Sequence, residues 1–127
     1  MAIRTELSLR LANSPGALAR LCDHLSNAHV NLLALHLEGS GRVRFVVDNP
    51  LHAAATLREQ EHQVEERDVL YVTLPNGPGG AAAVARLLAD AGVNVDYAYG
   101  AAVEGSSMAA VVIGVGDAQR AAAASGL

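Results

Sequence analysis

The sequence predicts an α+β protein made of two β-α-β-β-α-β units, each with an antiparallel sheet and its helices on one face. Two observations carry this prediction. Along the 127 residues, the spacing of apolar residues changes repeatedly between the period of a strand and that of a helix. The second half of the chain also repeats the first, so that the same order of elements is expected twice.

The repeat is visible when residues 7–37 are placed on residues 70–100, at an offset of 63 positions with no gap. Ten residue pairs are then identical. Two short signatures, Asn-x-Pro-Gly and Val-Asn, return at matching distances, which chance similarity between two Ala- and Leu-rich helices does not supply. The asparagines in these signatures are Asn13 with Asn76 and Asn31 with Asn94.

The repeat sets the expected domain division. We expect one domain at residues 1–66 and a second at residues 67–127. Residues 65–68 form the most charged run of the chain, and the boundary is expected there.

The first unit begins with a strand at residues 3–11, where leucines alternate with polar residues and predict a half-buried strand. Ser14 is expected to be the N-cap of the following helix, with Pro15 at its first position. The helix is expected to end near residue 29. Its apolar stripe consists of Leu18, Leu21, Cys22 and Leu25.

The remaining elements of the first unit are separated by turn residues. Gly39-Ser40-Gly41 predicts a hairpin turn, and Asp48-Asn49-Pro50 predicts the start of a helix. Leu33, Leu35 and Leu37 are expected on one face of the strand before the hairpin. The predicted elements are a strand at 31–38, a strand at 42–48, a helix at 51–60 and a short strand at 62–67.

The second unit repeats this order. Gly92 is expected to end its first helix and Asp117 to cap its last one. The predicted elements are a strand at 68–74, a helix at 78–91, strands at 94–103 and 107–115, and a final Ala-rich helix. Almost nothing remains after that helix for a last strand. The sheet edge left open predicts self-association, most simply a homodimer.

Composition excludes several classes of function. The net charge is −4 with no basic block, so nucleic acid and anionic membranes are not expected partners. No apolar run reaches the roughly 20 residues of a membrane span, and the N-terminus has no signal-peptide pattern. With one cysteine and no histidine pair at metal-binding spacing, we expect no metal and no cofactor. A cytoplasmic location follows.

The loops between strand and helix are the candidate binding elements. The start of a helix presents backbone N–H groups without acceptors and the positive end of the helix dipole, which favour a carboxylate. The amides of Asn13 and Asn76 can both donate and accept hydrogen bonds. The alternative is that Asn, Pro and Gly serve turn geometry alone. The return of Asn31 and Asn94, at strand starts expected near the loop end of the fold, favours a site.

Together these features resemble the ACT domain: an apolar strand, Asn-x-Pro-Gly, a helix with a Leu/Val stripe, and Val-Asn at the next strand. The resemblance is to small proteins made of two tandem ACT domains and covers nearly the whole chain. It implies ferredoxin-like units that bind amino acids or other small effectors where two domains pair.

The resemblance also implies which residues bind the ligand. In the first unit they are Asn13, Ser14, Pro15, Gly16, Ala17, Leu18 and Asn31. In the second unit they are Asn76, Gly77, Pro78, Gly79, Gly80, Ala81, Asn94 and Val95. The additional Gly80 is expected to make the second loop looser, so that the two sites need not be equivalent.

Tyr97 and Tyr99 follow on the same strand and share a face. They are expected either to line a ligand pocket or to fill a contact between domains. The leading functional hypothesis is a non-catalytic, amino-acid-binding regulatory protein. The alternative is a regulatory or interaction subunit of a metabolic enzyme, with no ligand of its own. A small ferredoxin-like enzyme is a third hypothesis, which no cluster of acid, base or nucleophile supports.

Overall fold

The structure is a computed structural model that describes residues 2–127, the side chain of Ala2 excepted. Residue 1, where the first predicted domain begins, lies outside the described residues. The chain divides into two compact units. The first unit is Thr5–Arg67, and the second is Asp68–Leu127 together with residues 2–4.

The first unit has the order predicted for it up to its second helix. Its elements are β1 (Ala2–Arg10), α1 (Ala17–Asn27), β2 (Leu32–Leu37), β3 (Arg42–Val47) and α2 (Pro50–Glu59). β3 lies between β1 and β2 and pairs antiparallel with both. Phe45 of β3 stands opposite Leu7 on one side and Leu35 on the other.

The second unit repeats that arrangement. Its elements are β4 (Glu65–Pro75, of which residues 65–67 belong to the first unit), α3 (Gly80–Asp90), β5 (Val95–Ala102), β6 (Met108–Val115) and α4 (Ala118–Ser125). β6 lies between β4 and β5, and Ile113 stands opposite Leu70 and Ala98. The strands of both units are antiparallel, which confirms the predicted α+β fold class.

The apolar stripe predicted for the first helix packs on the sheet of the first unit. Leu21 and Leu25 are each 1% exposed and share a core with Leu7, whereas Leu18 and Cys22 are half-buried. Burying one leucine side chain contributes about 1.5–3 kcal/mol. Packing of this kind holds α1 against the same face of the sheet that α2 covers.

The core of the second unit is built in the same way from smaller residues. Val84 and Leu88 of α3 pack with Leu70 and Ile113 of the sheet and with Ala121 of α4. Alanine lets α4 lie close to the strands, because its side chain adds little thickness. The second unit therefore forms a core of its own, as the repeat predicts.

β1 differs from the half-buried strand that the alternation predicts. Glu6 and Ser8 lie on the face away from the helices, yet they are only 2% and 9% exposed. Val46, opposite Glu6 on β3, is fully buried, and the Arg42 guanidinium donates a hydrogen bond to the Ser8 hydroxyl. Alternation shows which residues share a face but not whether that face is covered, and here it is covered.

The predicted break between a strand ending at residue 67 and another starting at residue 68 is wrong. β4 is one continuous strand through the charged run. Within the first unit, Glu65 lies 3.6 Å from the Arg42 guanidinium, and Glu66 accepts a hydrogen bond of 3.0 Å from Arg58. Because these carboxylates have cationic neighbours, the run does not interrupt the strand.

The second unit also contains the first residues of β1, which the sequence assigns to the first domain. Residues 2–4 of β1 belong to this unit, and Ile3 packs against its core. The Arg4 guanidinium carbon lies 5.0 Å from the centre of the Tyr71 ring. The second unit is therefore not limited to residues after the predicted boundary.

Helix ends follow the predicted chemistry in the later helices. The Asp117 side chain accepts a hydrogen bond of 3.0 Å from the Arg120 N–H, which confirms it as the cap of α4. Asn49 caps α2 in the same way through the His52 N–H, at 3.3 Å. Gly92 takes a left-handed conformation, φ 70°, directly after α3.

β2 and β5 carry an irregularity at the same place. Pairing of β2 with β3 shifts register between Leu32 and Ala34, and pairing of β5 with β6 shifts between Val95 and Tyr97. One extra residue changes the face that the next side chains occupy. Leu33 therefore does not share the core-facing register of Leu35, contrary to the prediction.

The helices of the described chain are all too short, or too polar, to serve as a membrane span.

Candidate functional site: the strand-to-helix loops

Each candidate loop is a tight turn placed directly before a helix. In the first loop, the Ala17 N–H donates to the Ser14 carbonyl at 3.3 Å, with Pro15 and Gly16 between them. Gly16 has φ 87° and ψ −7°, the values of the third residue of a type II turn. This position favours glycine because φ is positive, and proline before it fixes the preceding φ.

The second loop has the same geometry. The Gly80 N–H donates to the Gly77 carbonyl at 3.2 Å, and Gly79 has φ 87° and ψ −6°. The expectation that Gly80 loosens this loop is wrong. A Cβ atom at Gly80 would collide with the Pro75 carbonyl oxygen, so this glycine permits a close approach of the chain to itself.

The predicted cap of α1 is also wrong. Ser14 and Pro15 lie in the turn, Gly16 is the N-cap residue, and the helix begins at Ala17 without a side-chain cap. The reason is the left-handed conformation of Gly16, which precludes helical geometry before it. The same holds for Gly79 and α3.

Because no side chain caps these helices, their first turns keep donors free of helical acceptors. The Arg20 N–H bonds the Gly16 carbonyl at 3.0 Å, but Leu18 and Ala19 have no intrahelical acceptor at this position. Ala81 and Ala82 are placed identically in α3. Each loop therefore offers backbone N–H groups at the positive end of a helix dipole, which suits a carboxylate.

The loop asparagines differ in their bonds. The Asn76 amide nitrogen donates to the carbonyls of Val103 and Ser106, at 3.2 and 2.8 Å, and its backbone N–H donates to Ser107 at 3.0 Å. Asn76 thus ties the loop to the β5–β6 hairpin. Over the described chain, the Asn13 side chain makes no corresponding bond.

A cavity lies beside each loop. The first loop cavity, about 360 Å³, is lined by Leu11, Ala12, Asn13, Ser14, Gly16, Ala17, Leu18, Leu37, Glu38, Gly39 and Gly41. The second loop cavity, about 380 Å³, is lined by Leu74, Pro75, Asn76, Gly77, Ala81, residues 98–102 and residues 109–111. Eight lining positions correspond at the offset of 63, so both units form this cavity in the same place.

The cavities contain part of the predicted set. Pro15, Pro78, Gly79 and Gly80 shape the turns without lining a cavity. The carboxyl end of the edge strand, which is residues 37–39 in the first unit, also lines each cavity, and apart from Tyr99 its residues are missing from the prediction. An antiparallel hairpin returns this strand end to the loop, and that was the available signal.

Asn31 and Asn94 do not lie in the loop cavities. The Asn31 N–H donates to the Asp48 carboxylate at 3.0 Å, and Asn94 lines a separate cavity with Asp117 and Arg120. The expectation that their strands start near the loop end of the fold is therefore wrong. α1 carries the chain about 16 Å away from the loop before β2 begins, at 1.5 Å per residue.

The tyrosines of β5 share a face, as predicted. Their rings stack with centroids 6.3 Å apart and planes inclined by 13°. Tyr97 covers Gly114, where a Cβ atom would collide with its ring, whereas Tyr99 is among the residues of the second loop cavity. Val95 is 41% exposed at the far end of β5 and lies outside that cavity.

A histidine pair lies elsewhere in the first unit. The rings of His24 and His62 make an edge contact with centroids 6.0 Å apart. Burial, and then the neighbouring His24, lower the pKa of His62 below its usual value of 6.5. No group of three or more His, Cys, Asp or Glu side chains is placed to hold a metal ion in the described part of the chain.

Residues 1–123 match the family model for the ACT domain pair. A protein of Bacteroides thetaiotaomicron is similar, with 29% identity and a TM-score of 0.87 over 96% of this chain and 85% of that one. The ligand-free regulatory subunit of aspartate kinase from Thermus thermophilus shows 19% identity and a TM-score of 0.70, over 98% of this chain and 90% of that one. E. coli aspartokinase III in complex with lysine and aspartate shows 19% identity and a TM-score of 0.60, over 94% and 29% of the two chains. These last two comparisons concern the fold alone. No curated protein matches the chain.

Proposed function

We propose, because this chain belongs to the family of ACT domain pairs, that it is a non-catalytic regulatory protein that binds a free amino acid. The observation that carries the proposal is the recurrence of one cavity beside the same loop in both units. We assign the two ACT domains to residues 1–66 and 67–127. One cysteine in the chain fits action in the cytoplasm.

The loop chemistry supports an amino acid as the ligand. A carboxylate placed at the start of α1 would accept from the N–H groups of Leu18 and Ala19, and at the start of α3 from those of Ala81 and Ala82. An ammonium group needs an acceptor, which an asparagine Oδ1 supplies. In the second loop this is Asn76, whose amide nitrogen already donates to the hairpin.

The remaining predicted residues are proposed to act only where two domains pair. Asn31, Asn94, Val95 and Tyr97 lie outside the loop cavities, so a contact with the same ligand requires a second domain. The family resemblance, in which ligand binds at ACT–ACT interfaces, is the support for this part of the proposal.

A homodimer is the assembly we propose. Leu35 and Leu37, on the edge strand β2, are 40% and 44% exposed, and Val103 and Met108 of the β5–β6 hairpin are 73% and 49% exposed. Apolar residues exposed in groups favour an interface. Light scattering at micromolar concentration should give twice the chain mass, and the mass of one chain would refute this part.

Regulation follows if ligand favours one relative placement of domains or partners, because a ligand shifts an equilibrium by its difference in affinity for the two states. A thermal-shift screen of the free amino acids tests the proposal. Ligand at 100 times its Kd stabilises the bound state by about 2.7 kcal/mol, a shift of several degrees. Failure of all of them to stabilise the protein contradicts amino-acid binding.

The alternative is an interaction subunit of a metabolic enzyme with no ligand of its own. The exposed Val103 and Met108 on the hairpin support a protein partner. Capture of a stoichiometric enzyme from the native cell, together with no response to any amino acid, would favour this alternative over ligand binding.

A further inference from the structure

The two loop cavities occupy corresponding places but have different linings. Asn76 and Tyr99 are the polar residues of the second loop cavity, and none of its lining residues is charged. The rest of its wall is formed by small or apolar residues, most of them alanine and glycine. At about 380 Å³ it lies at the small end of the ~300–1,000 Å³ typical of small-molecule sites.

The first unit carries larger or charged residues at the same positions. Leu37 stands where the second unit has Gly100, and Glu38 stands where it has Ala101. The Glu38 carboxylate is paired with the Arg44 guanidinium beside the first loop cavity. An aliphatic side chain placed there would lie beside Glu38, which lines the first loop cavity.

Gly100, one of the residues that line the second loop cavity, lies where two strands come close together. A Cβ atom at Gly100 would collide with the Ala110 carbonyl oxygen, because β5 and β6 approach each other closely at this point. Glycine therefore permits this close approach, and a larger residue at this position would push β5 and β6 apart. Ala98 lies two residues earlier on the same core-facing register.

We infer that the second loop cavity selects an aliphatic L-amino acid, such as leucine, isoleucine or valine, and that the first does not. The carboxylate binds the N–H groups of Ala81 and Ala82, and the ammonium group binds the Asn76 Oδ1. The side chain packs against Gly100, Ala98 and the neighbouring apolar wall. This inference rests on the proposed function and adds the ligand class and the unit that binds it.

The lining explains the expected selectivity. A charged side chain would lose water in a cavity that supplies no partner of opposite charge, which is costly. Aliphatic groups gain from burial, and one methylene in a fitted apolar pocket changes affinity by about 10- to 200-fold. L-Leucine is therefore expected to bind more tightly than L-alanine, L-aspartate or L-lysine.

Calorimetric titration of the full chain with L-leucine tests the inference. Ala101→Glu places the first unit's carboxylate beside the second cavity and is expected to weaken L-leucine binding about tenfold or more. Glu38→Ala is the matched control in the first cavity and should leave that affinity unchanged. Ala98→Leu, which fills the second cavity with the first unit's residue, should also abolish binding. Circular dichroism and an unchanged melting temperature without ligand show that each variant is folded.

The outcomes separate the inference from the function it rests on. If polar or charged amino acids bind and aliphatic ones do not, the inference fails while amino-acid binding stands. If Glu38→Ala changes the affinity for L-leucine and Ala101→Glu does not, the assignment to the second unit is overturned. If no amino acid of any class binds, the proposed function itself fails.

Discussion

Replacing Asn76 with alanine should destabilise the second unit, whereas the same change at Asn13 should not. The Asn76 amide donates to two hairpin carbonyls, those of Val103 and Ser106. A net intramolecular hydrogen bond is worth about 0.5–1.5 kcal/mol. These bonds are exposed, so water replaces part of each when the amide is removed. The expected loss in the free energy of unfolding is about 1–2 kcal/mol for both together.

Urea denaturation followed by circular dichroism measures this loss as a shift of the midpoint at constant slope. Asn13→Ala removes the residue at the equivalent loop position, which makes no such bond to its own hairpin in the described chain. Its effect should stay within about 0.5 kcal/mol, as for an ordinary surface change. If Asn13→Ala costs as much as Asn76→Ala, the hairpin bonds do not stabilise the fold and the reasoning is refuted.

Three further results are expected. Gly41→Ala should lower the free energy of unfolding, measured by urea denaturation, by about 1–2 kcal/mol or more. The reason is that Gly41 has φ 94° and that its new Cβ atom would lie 2.7 Å from the Leu11 carbonyl oxygen. Gly39→Ala is the control, because the space around Gly39 is open. Asp117→Ala removes the cap of α4 and should lower the free energy of unfolding by about 0.5–2 kcal/mol. An unchanged midpoint of urea denaturation would contradict the role of Asp117 as the cap. The pKa of His62 is lower in the folded protein than its usual value of 6.5, so below pH 6.5 the unfolded chain binds more protons than the folded one. The free energy of unfolding should therefore fall as the pH drops from 6.5 through the lowered pKa. Above pH 6.5 this contribution should stay constant. The same titration of His62→Asn should be flatter, and an equal slope would assign the effect to another group.

The loops show how much of the site the sequence could predict. Pro-Gly predicts a tight turn before a helix, and the repeat locates both turns. The sequence could not predict the exact start of α1. Ser14 is a good N-cap residue by type, and only the backbone conformation shows that Gly16 holds this position. The predicted hairpins indicate that the end of the edge strand returns to the loop, but the sequence does not show which of its residues line the cavity.

The repeat itself extends further than sequence identity shows. The helix caps Asn49 and Asp117 correspond at an offset of 68, not 63, and so do Val43 and Val111, which pair with Leu37 and Gly100. The second hairpin is therefore five residues longer than the first. Identity between the halves ends near the hairpin, so only strand pairing reveals the correspondence beyond it.

The sequence by itself determined the antiparallel α+β class, the two loops and the order of the elements apart from the strand break predicted at residues 67–68, because hydrophobic period and turn chemistry are local properties of the chain. The tertiary structure decided which unit each segment joins, as residues 2–4 show. It also separated Asn31 from Asn13 and gave the two loop cavities different walls. These features depend on which distant segments of the chain come together, and local patterns in the sequence do not show that.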